Sequence, residues 1–513
     1  MNNIYIQRIN VFDSTSHDWF FGAKIANSLH FLTREYVIKD ELLFKEGDFI
    51  DEFQILETEK NLRSLNLFSK VEILLDTIDQ INSDVYVITK DRWSTNPALL
   101  FGTGGEAYRI GFRVEELNFL GTGTTLVPEL LYRSENDTRM QFRFKLYKRR
   151  TFRSDFSINY SFFINRFRTL HNISFWKPYF SRNSTNSYGF EIVNNFGNDL
   201  LFFGKGGYEK MNFYEKGATL WYSHSWTKDD RLFISGLLDF RRIKRGEERF
   251  IRAFDNSAKV FVSFSSISES FYNSTKLNTF LTEDIVLGGW GSAVLGKTIK
   301  LDSTGVDAFY LAGIGEKSYL SNDTRLYLFG RLAGGSAFAH SMGFNTYQEF
   351  WGLMFYRISQ NLLFSTQIKQ QTVWNWRGVR QLLLDNNHYL RGYTLNELAG
   401  DNRIVTNLEL RFFPDFRFWI FYFSGVVFYD GGTIWNQNTE LMKSKWRSSV
   451  GFGFRVHNDK TSGKLGIVRI DFAFNFDRKK FGEIIISSDQ MFSIFKSHQF
   501  ELPKILGEEF EYE

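Results

Sequence analysis

The residues of this chain that could do chemistry are few and far apart. Cysteine is absent, which excludes a thiol nucleophile, a thiolate metal site and a disulfide framework. Histidines stand at positions 17, 30, 171, 224, 340, 388, 457 and 498, with no spacing that would bring two imidazoles onto one metal. No GxSxG, HExxH or Walker-type loop occurs. Gly102, Gly104 and Gly105 form a glycine-rich patch, but it leads into a strand pattern and so cannot seat a phosphate on a helix N-terminus. Gly288, Gly289 and Gly291 around Trp290 read as a loop or a strand kink at a membrane edge. Asp471 and Asp477 lie near one another in sequence, yet the polar face of a strand produces such carboxylates without any catalytic role. The expectation is a protein that is not an enzyme, with no metal and no cofactor.

The elements that must carry these residues are strands. The chain has 513 residues with 57 Phe, 23 Tyr and 12 Trp, so that aromatics make up 18% of it, against 5 Pro. That is a large aromatic load for a water-soluble interior. A negative mean hydropathy and 23% charged residues nevertheless look soluble. With 62 Lys+Arg against 58 Asp+Glu, the chain has no basic field for nucleic acid. No apolar run of about 18 residues exists to make a membrane helix. A transmembrane β-barrel reconciles these facts, because only every second residue meets lipid. The alternation is explicit. Met140, Phe142, Phe144 and Leu146 oppose Arg139, Gln141, Arg143 and Lys145; Leu408, Leu410 and Phe412 oppose Asn407, Glu409 and Arg411; Val468, Ile470, Phe472 and Phe474 oppose Arg469, Asp471 and Asn475. Such runs are about ten residues long, the length of a tilted bilayer-crossing strand. A soluble sandwich or propeller also alternates, but no propeller-length repeat is visible. By this pattern there are about 16 to 18 strands, with alternation broken over 165–205 and 270–300, where long loops or inserts are expected.

Residues 1–92 have a different rhythm. Ile4 to Phe12 read as a strand, Thr33 to Phe44 as a helix stopped by Gly47, and Asp51 opens a second helix running through Leu65 with Gln54 as its capping-box partner. Lys70–Asp76 and Asp84–Lys90 alternate as strands. The order β-α-α-β-β makes a small α+β domain. Residues 1–30 lack a basic stretch followed by an apolar one. An exported barrel needs such a leader, so the chain is expected to be a mature form with an added start Met.

Four stretches then give a family resemblance. TREYVIKDELLFKEGD (33–48) with ETEKNLRSLNLFSKVEI (57–73) resembles a POTRA domain; ELNFLGTGT (116–124) is similar to a first barrel hairpin; LRGY (390–393) is similar to a loop motif [V/L/I]-R-G-[F/Y]; VVFYDGGTIW (426–435) is similar to the strand that follows that loop. Together, in this order, they resemble the BamA/TamA-type outer-membrane assembly factors, the bacterial surface antigen family. The resemblance implies a mainly β protein: a 16-stranded antiparallel transmembrane barrel (93–492) in the bacterial outer membrane, preceded by one POTRA-like periplasmic domain (1–92) and followed by a tail (493–513). It also implies roles. Leu390, Arg391, Gly392 and Tyr393 are the loop motif, with Arg391 folded into the lumen against a carboxylate, here Asp430. The bare alternative is Arg391 at an exposed loop tip and Asp430 as an ordinary lumen-facing residue. A last strand over Phe481–Phe492, ending in an aromatic, would pair poorly with a first strand near Arg113, leaving a seam marked by Arg113, Ile485 and Phe492. Such an edge can accept an incoming strand.

The implied function is insertion or translocation of polypeptides, either unfolded outer-membrane proteins or secreted ones. Outer-membrane lipid and periplasmic or lipoprotein accessory subunits are the other implied partners, and nucleic acid is not one. Secretion of a single dedicated partner, lipid-related transport and a passive pore are the alternatives. A pore needs no α+β domain ahead of its barrel.

Overall fold

The computed structural model of the chain describes residues 1–12, 24, 27–28, 30–78, 83–180, 184–202, 207–227, 230–277, 283–340, 342–377, 382–418, 421–458, 467–487, 492–493 and 501–511. Its N-terminal unit contains β1 (Ile4–Ile9), α1 (Glu35–Lys39), α2 (Glu52–Ser64), β2 (Phe68–Thr77) and β3 (Ser83–Asp91). The three strands form a sheet of order β1-β3-β2, with β1 parallel to β3 and β2 antiparallel to it. Asp51 caps α2 by accepting from the Phe53 N–H at 3.0 Å, as its residue type favours. α1 is shorter than the 33–44 reading. Past Asp40 the backbone turns to neighbouring groups, and Leu43 N–H donates to Thr58 Oγ1 on α2 at 3.1 Å. Ile38, Phe44, Ile55, Leu62, Val71, Val85 and Val87 fill the space between helices and sheet.

The rest of the chain is a closed antiparallel barrel. Its strands are β4 (Thr95–Gly104), β5 (Ala107–Glu116), β6 (Thr124–Arg133), β7 (Arg139–Lys148), β8 (Ser157–Ile164), β9 (Arg168–Lys177), β10 (Asn186–Phe202), β11 (Tyr208–Thr227), β12 (Arg231–Arg245) and β13 (Asn256–Ser274). There follow β14 (Glu283–Lys300), β15 (Ala308–Leu320), β16 (Leu326–Ala339), β17 (Met342–Ser359) and β18 (Leu362–Trp374). A long loop carrying the two-residue pair β19 (Leu382–Leu383) and β20 (Ala399–Gly400) leads to β21 (Asn402–Phe412), the stub β22 (Arg417–Phe418), β23 (Phe421–Trp435), β24 (Arg447–Asn458), β25 (Ile467–Asn475) and β26 (Lys480–Ser487). Each strand pairs with its neighbour in sequence, and β26 returns to β4.

Among the described residues the barrel has twenty full strands, not sixteen. The described residues of the stretches expected as long loops or inserts are mostly strand. β10 keeps unbroken register with β9 and β11, and β14 with β13 and β15. Their side-chain pattern fails for a local reason. Asn194 and Asn198 flank Phe196 on one face of β10, and Gly288, Gly289 and Gly291 leave β14 without side chains at the alternating positions. Backbone pairing is indifferent to both. Elsewhere the alternation holds: Met140 is 50% exposed and Gln141 1%, as a lipid face and a lumen face require.

The N-terminal unit is fastened to the barrel at one end. Asn118 Nδ2 in the β5–β6 connection donates to Thr33 Oγ1 at 2.8 Å, and Arg34 N–H to Gly121 O at 2.8 Å. Arg149 and Arg150, beyond β7, hold the buried Glu41 at 3.3 and 3.2 Å. The stretch ELNFLGTGT therefore joins β5 to β6 and docks the N-terminal unit, one hairpin later than the first-hairpin reading.

Candidate functional site

The loop between β18 and β21 folds back into the barrel, and its own carboxylate shapes it. Asp385, buried, accepts from the N–H groups of Asn387 and His388 at 2.9 and 3.1 Å, from the N–H of Asn396 at 2.8 Å, and contacts His388 Nδ1 at 2.8 Å. Leu384, Leu390, Tyr393 and Val405 pack as one apolar cluster beneath it. Barrel strands grip the loop backbone: Asn407 Nδ2 donates to Tyr389 O at 2.8 Å, Asn475 Nδ2 to Gly392 O at 2.9 Å, and Arg403 to Leu383 O. Tyr393 OH donates to Ser448 O at 3.2 Å. Gly392 sits at φ +81°, where a Cβ would come within 3.1 Å of Ala473 Cβ. Both the left-handed backbone and the approach to β25 favour glycine.

These contacts place Arg391 in the lumen with no exposure to solvent. Its Nε and Nη2 donate to the two oxygens of Asp430 at 2.7 and 2.8 Å, a bidentate pair. Nη1 lies 3.0 Å from Glu409 Oε1 and donates to Asp471 Oδ2 at 3.1 Å, and the guanidinium lies 3.5 Å over the Phe428 ring. Asp430 faces inward although two valines precede it. Val426 is 4% exposed, Val427 61% and Phe428 3%, so even-numbered positions of β23 point into the barrel. The network extends outward: Arg411 pairs with Glu409 at 2.8 Å, Arg455 with Asp471 at 2.6 Å, and Arg469 with Asp471 at 3.4 Å. A buried guanidinium is tolerable only when so paired.

Of these three carboxylates, the sequence motifs point to Asp430 and not to Glu409 or Asp471. Both stand on the polar face of strands whose alternation was explicit. What was missing was the barrel closure that brings β21, β23 and β25 to one point. Among the described residues, no group of three or more His, Asp or Glu side chains is placed to hold a metal ion.

At the strand junction that closes the barrel, β26 and β4 share one residue pair among the described residues, Ile486 with Thr103, whereas β4 and β5 pair along their whole length. The residues expected to mark this seam are distributed differently. Arg113 lies on β5, opposite Ala98 and Glu129, one strand away from the seam, because the barrel begins at Thr95. Ile485 is on β26, with its side chain buried among Val426, Phe428 and Ala473. Phe492 lies beyond β26, which ends at Ser487, opposite Arg469 near the start of β25. Its carbonyl accepts from Arg411 Nη2 at 3.2 Å inside the barrel. At the loop-bearing end, Arg478 spans the gap. It donates to Glu106 at 2.9 Å on the β4–β5 turn, and to Thr394 at 2.6 Å and Glu397 at 3.0 Å on the folded loop. Beside it in the same turn, burial works against the charge of Asp477, but Lys445 and Arg447 outweigh it and hold the carboxyl below its usual range.

Fold and site define a closed transmembrane-type β-barrel with an arginine-anchored loop inside it. Residues 306–500 match the Omp85 superfamily domain; the chain carries an Omp85 domain there and is a bacterial outer-membrane β-barrel protein. Among solved structures, it is similar to BamA from Haemophilus ducreyi lacking POTRA domains 1–3 (13% identity, TM-score 0.43, covering 94% of this chain and 84% of that one). It is also similar to CdiB from Acinetobacter baumannii (11%, 0.44, 94% and 73%) and CdiB from Escherichia coli (11%, 0.42, 92% and 72%). No curated protein matches the sequence.

Proposed function

We propose that this barrel inserts or translocates polypeptides at the outer membrane without covalent chemistry or a cofactor. The observation that carries the reading is the combination of a loop locked into the lumen by Arg391, Asp430, Glu409 and Asp471 with a seam that shows one residue pair among the described residues. A sheet edge so sparsely paired can exchange its partner for an incoming strand, since main-chain groups left open are a template for pairing. Recognition is then mainly of backbone, and demands little of cargo sequence. The N-terminal unit serves as a POTRA-like periplasmic domain whose β2 edge, flanked among the described residues only by β3, offers a second pairing surface. Outer-membrane lipid borders the seam, and accessory periplasmic or lipoprotein subunits would dock on the N-terminal unit.

The test is depletion of the protein in its host followed by quantitative outer-membrane proteomics. Loss of many barrel proteins supports general insertion. Loss of one protein supports dedicated secretion by the same fold. An unchanged proteome with altered lipid composition sinks the polypeptide reading in favour of lipid transport.

A further inference from the structure

The lumen of this barrel contains a feature the insertion reading does not use. On the wall formed by β13, β15, β16 and β17, one patch of inward positions is apolar. Ala312, Ala333 and Ala337 surround Tyr310, next to Phe261 and Tyr347, and all are buried. A water-filled barrel interior is normally polar, so an apolar concavity there needs a cover. The cover is the chain's own segment Glu501–Glu511. Ile505 and Leu506 are buried in that concavity. The Leu506 N–H donates to Tyr310 OH at 2.8 Å. Lys259 Nζ on β13 donates to both carboxylate oxygens of Glu508, at 2.7 and 3.0 Å. Gly507, at φ +90°, lies against Trp376 so closely that a Cβ would fall 2.7 Å from the indole. The segment is thus held by shape, by one main-chain hydrogen bond and by one charge pair.

Phe492, beyond β26, lies in the lumen, its ring 6.2 Å from that of Phe355. The segment borders a cavity of about 630 Å³ whose barrel side presents Arg168, Glu215, Asp239 and Arg241 and whose other side is formed by Glu501, Leu502, Pro503, Lys504, Ile505 and Glu508.

We propose that this wall is a peptide-binding site and that Glu501–Glu511 is its resident occupant, plugging the lumen. The ligand class is an extended polypeptide segment with two adjacent apolar side chains, then glycine, then a carboxylate. A polypeptide passing through the barrel displaces the plug by competing for the same wall. That last step rests on the function proposed above; the plugging itself does not.

The test uses purified protein in planar lipid bilayers and reads ion conductance, which requires no cargo. A variant lacking residues 494–513 should conduct severalfold more than the intact chain. The synthetic peptide ELPKILGEEFEYE, residues 501–513, should bind this variant by fluorescence anisotropy and return its conductance to the intact level. The same peptide with Ile505→Asp and Leu506→Asp should do neither. Because the deletion could impair folding, the full-length I505D/L506D protein serves as a second variant, with heat-modifiable migration as the folding check. It too should conduct more. Unchanged conductance in a folded variant, or failure of the peptide to bind the deletion variant, overturns the proposal. Raised conductance together with an outer-membrane proteome unaltered by depletion would leave the plug standing and remove the polypeptide reading instead.

Discussion

Arg391 is the residue on which the loop turns. Its guanidinium meets Asp430, Glu409 and Asp471 with no solvent to share the charge. Removing one partner from a buried network leaves charges unpaired, at a cost of about 3–5 kcal/mol. That cost falls on the loop, because the strand ladders that hold the barrel do not pass through it. Arg391→Ala is therefore expected to keep a heat-modifiable barrel while the loop leaves the lumen, with trypsin cutting within residues 377–403 where the intact protein resists, and with function impaired. Arg391→Lys should behave in the same way, since an ammonium cannot reproduce the two-oxygen fork on Asp430. Protection of the loop in either variant would contradict the anchoring role. Gly392→Ala probes the same point through the backbone. A left-handed φ of +81° costs a non-glycine residue about 1–2 kcal/mol, and the new methyl also meets Ala473. Adding Ala473→Gly relieves only the contact, so the double variant should recover part of the loop's protease resistance and no more.

At the scale of elements, the junction between the N-terminal unit and the barrel matters. Glu41 lies buried between Arg149 and Arg150 where the N-terminal unit meets the barrel. Glu41→Ala should loosen that junction, so that limited proteolysis releases a barrel fragment starting near Trp93 sooner than from the intact chain, while heat-modifiability is unchanged. Equal release rates would show that the pair does not hold the unit. Strands with one apolar and one charged face, such as β7, β21 and β25, were legible in the sequence because lipid and lumen impose opposite demands on adjacent residues. β10 and β14 were not, since Asn and Gly erase the contrast while pairing continues. The helix read over Thr33–Phe44 shrank to Glu35–Lys39 because its later backbone groups found partners on α2. Arg391 and Asp430 came to notice only through the loop and strand motifs. Glu409 and Asp471 are distant in sequence and meet only because the barrel curves β21, β23 and β25 around one point.

For the whole molecule, one line in the barrel wall stands apart. Among the described residues, nineteen of the twenty junctions between successive strands carry extended ladders, and the junction of β26 with β4 carries one residue pair. Across it Arg478 links the β25–β26 turn, the β4–β5 turn and the folded loop, so that loop position and seam closure are mechanically tied. The segment Glu501–Glu511 occupies the lumen meanwhile. An opening in the wall and a path through the interior are thus both closed by contacts that can be exchanged without unfolding the other ladders. The central claim is that polypeptide passage requires the seam to part. Thr103 and Ile486 face one another across it, and the chain has no native cysteine, so a T103C/I486C pair is the only thiol pair in the protein. Oxidised, this variant should stop delivery of outer-membrane or secreted polypeptides and regain activity on reduction, with each single variant active under both conditions. Full activity of the oxidised double variant, with the disulfide verified by mass spectrometry, would contradict the account.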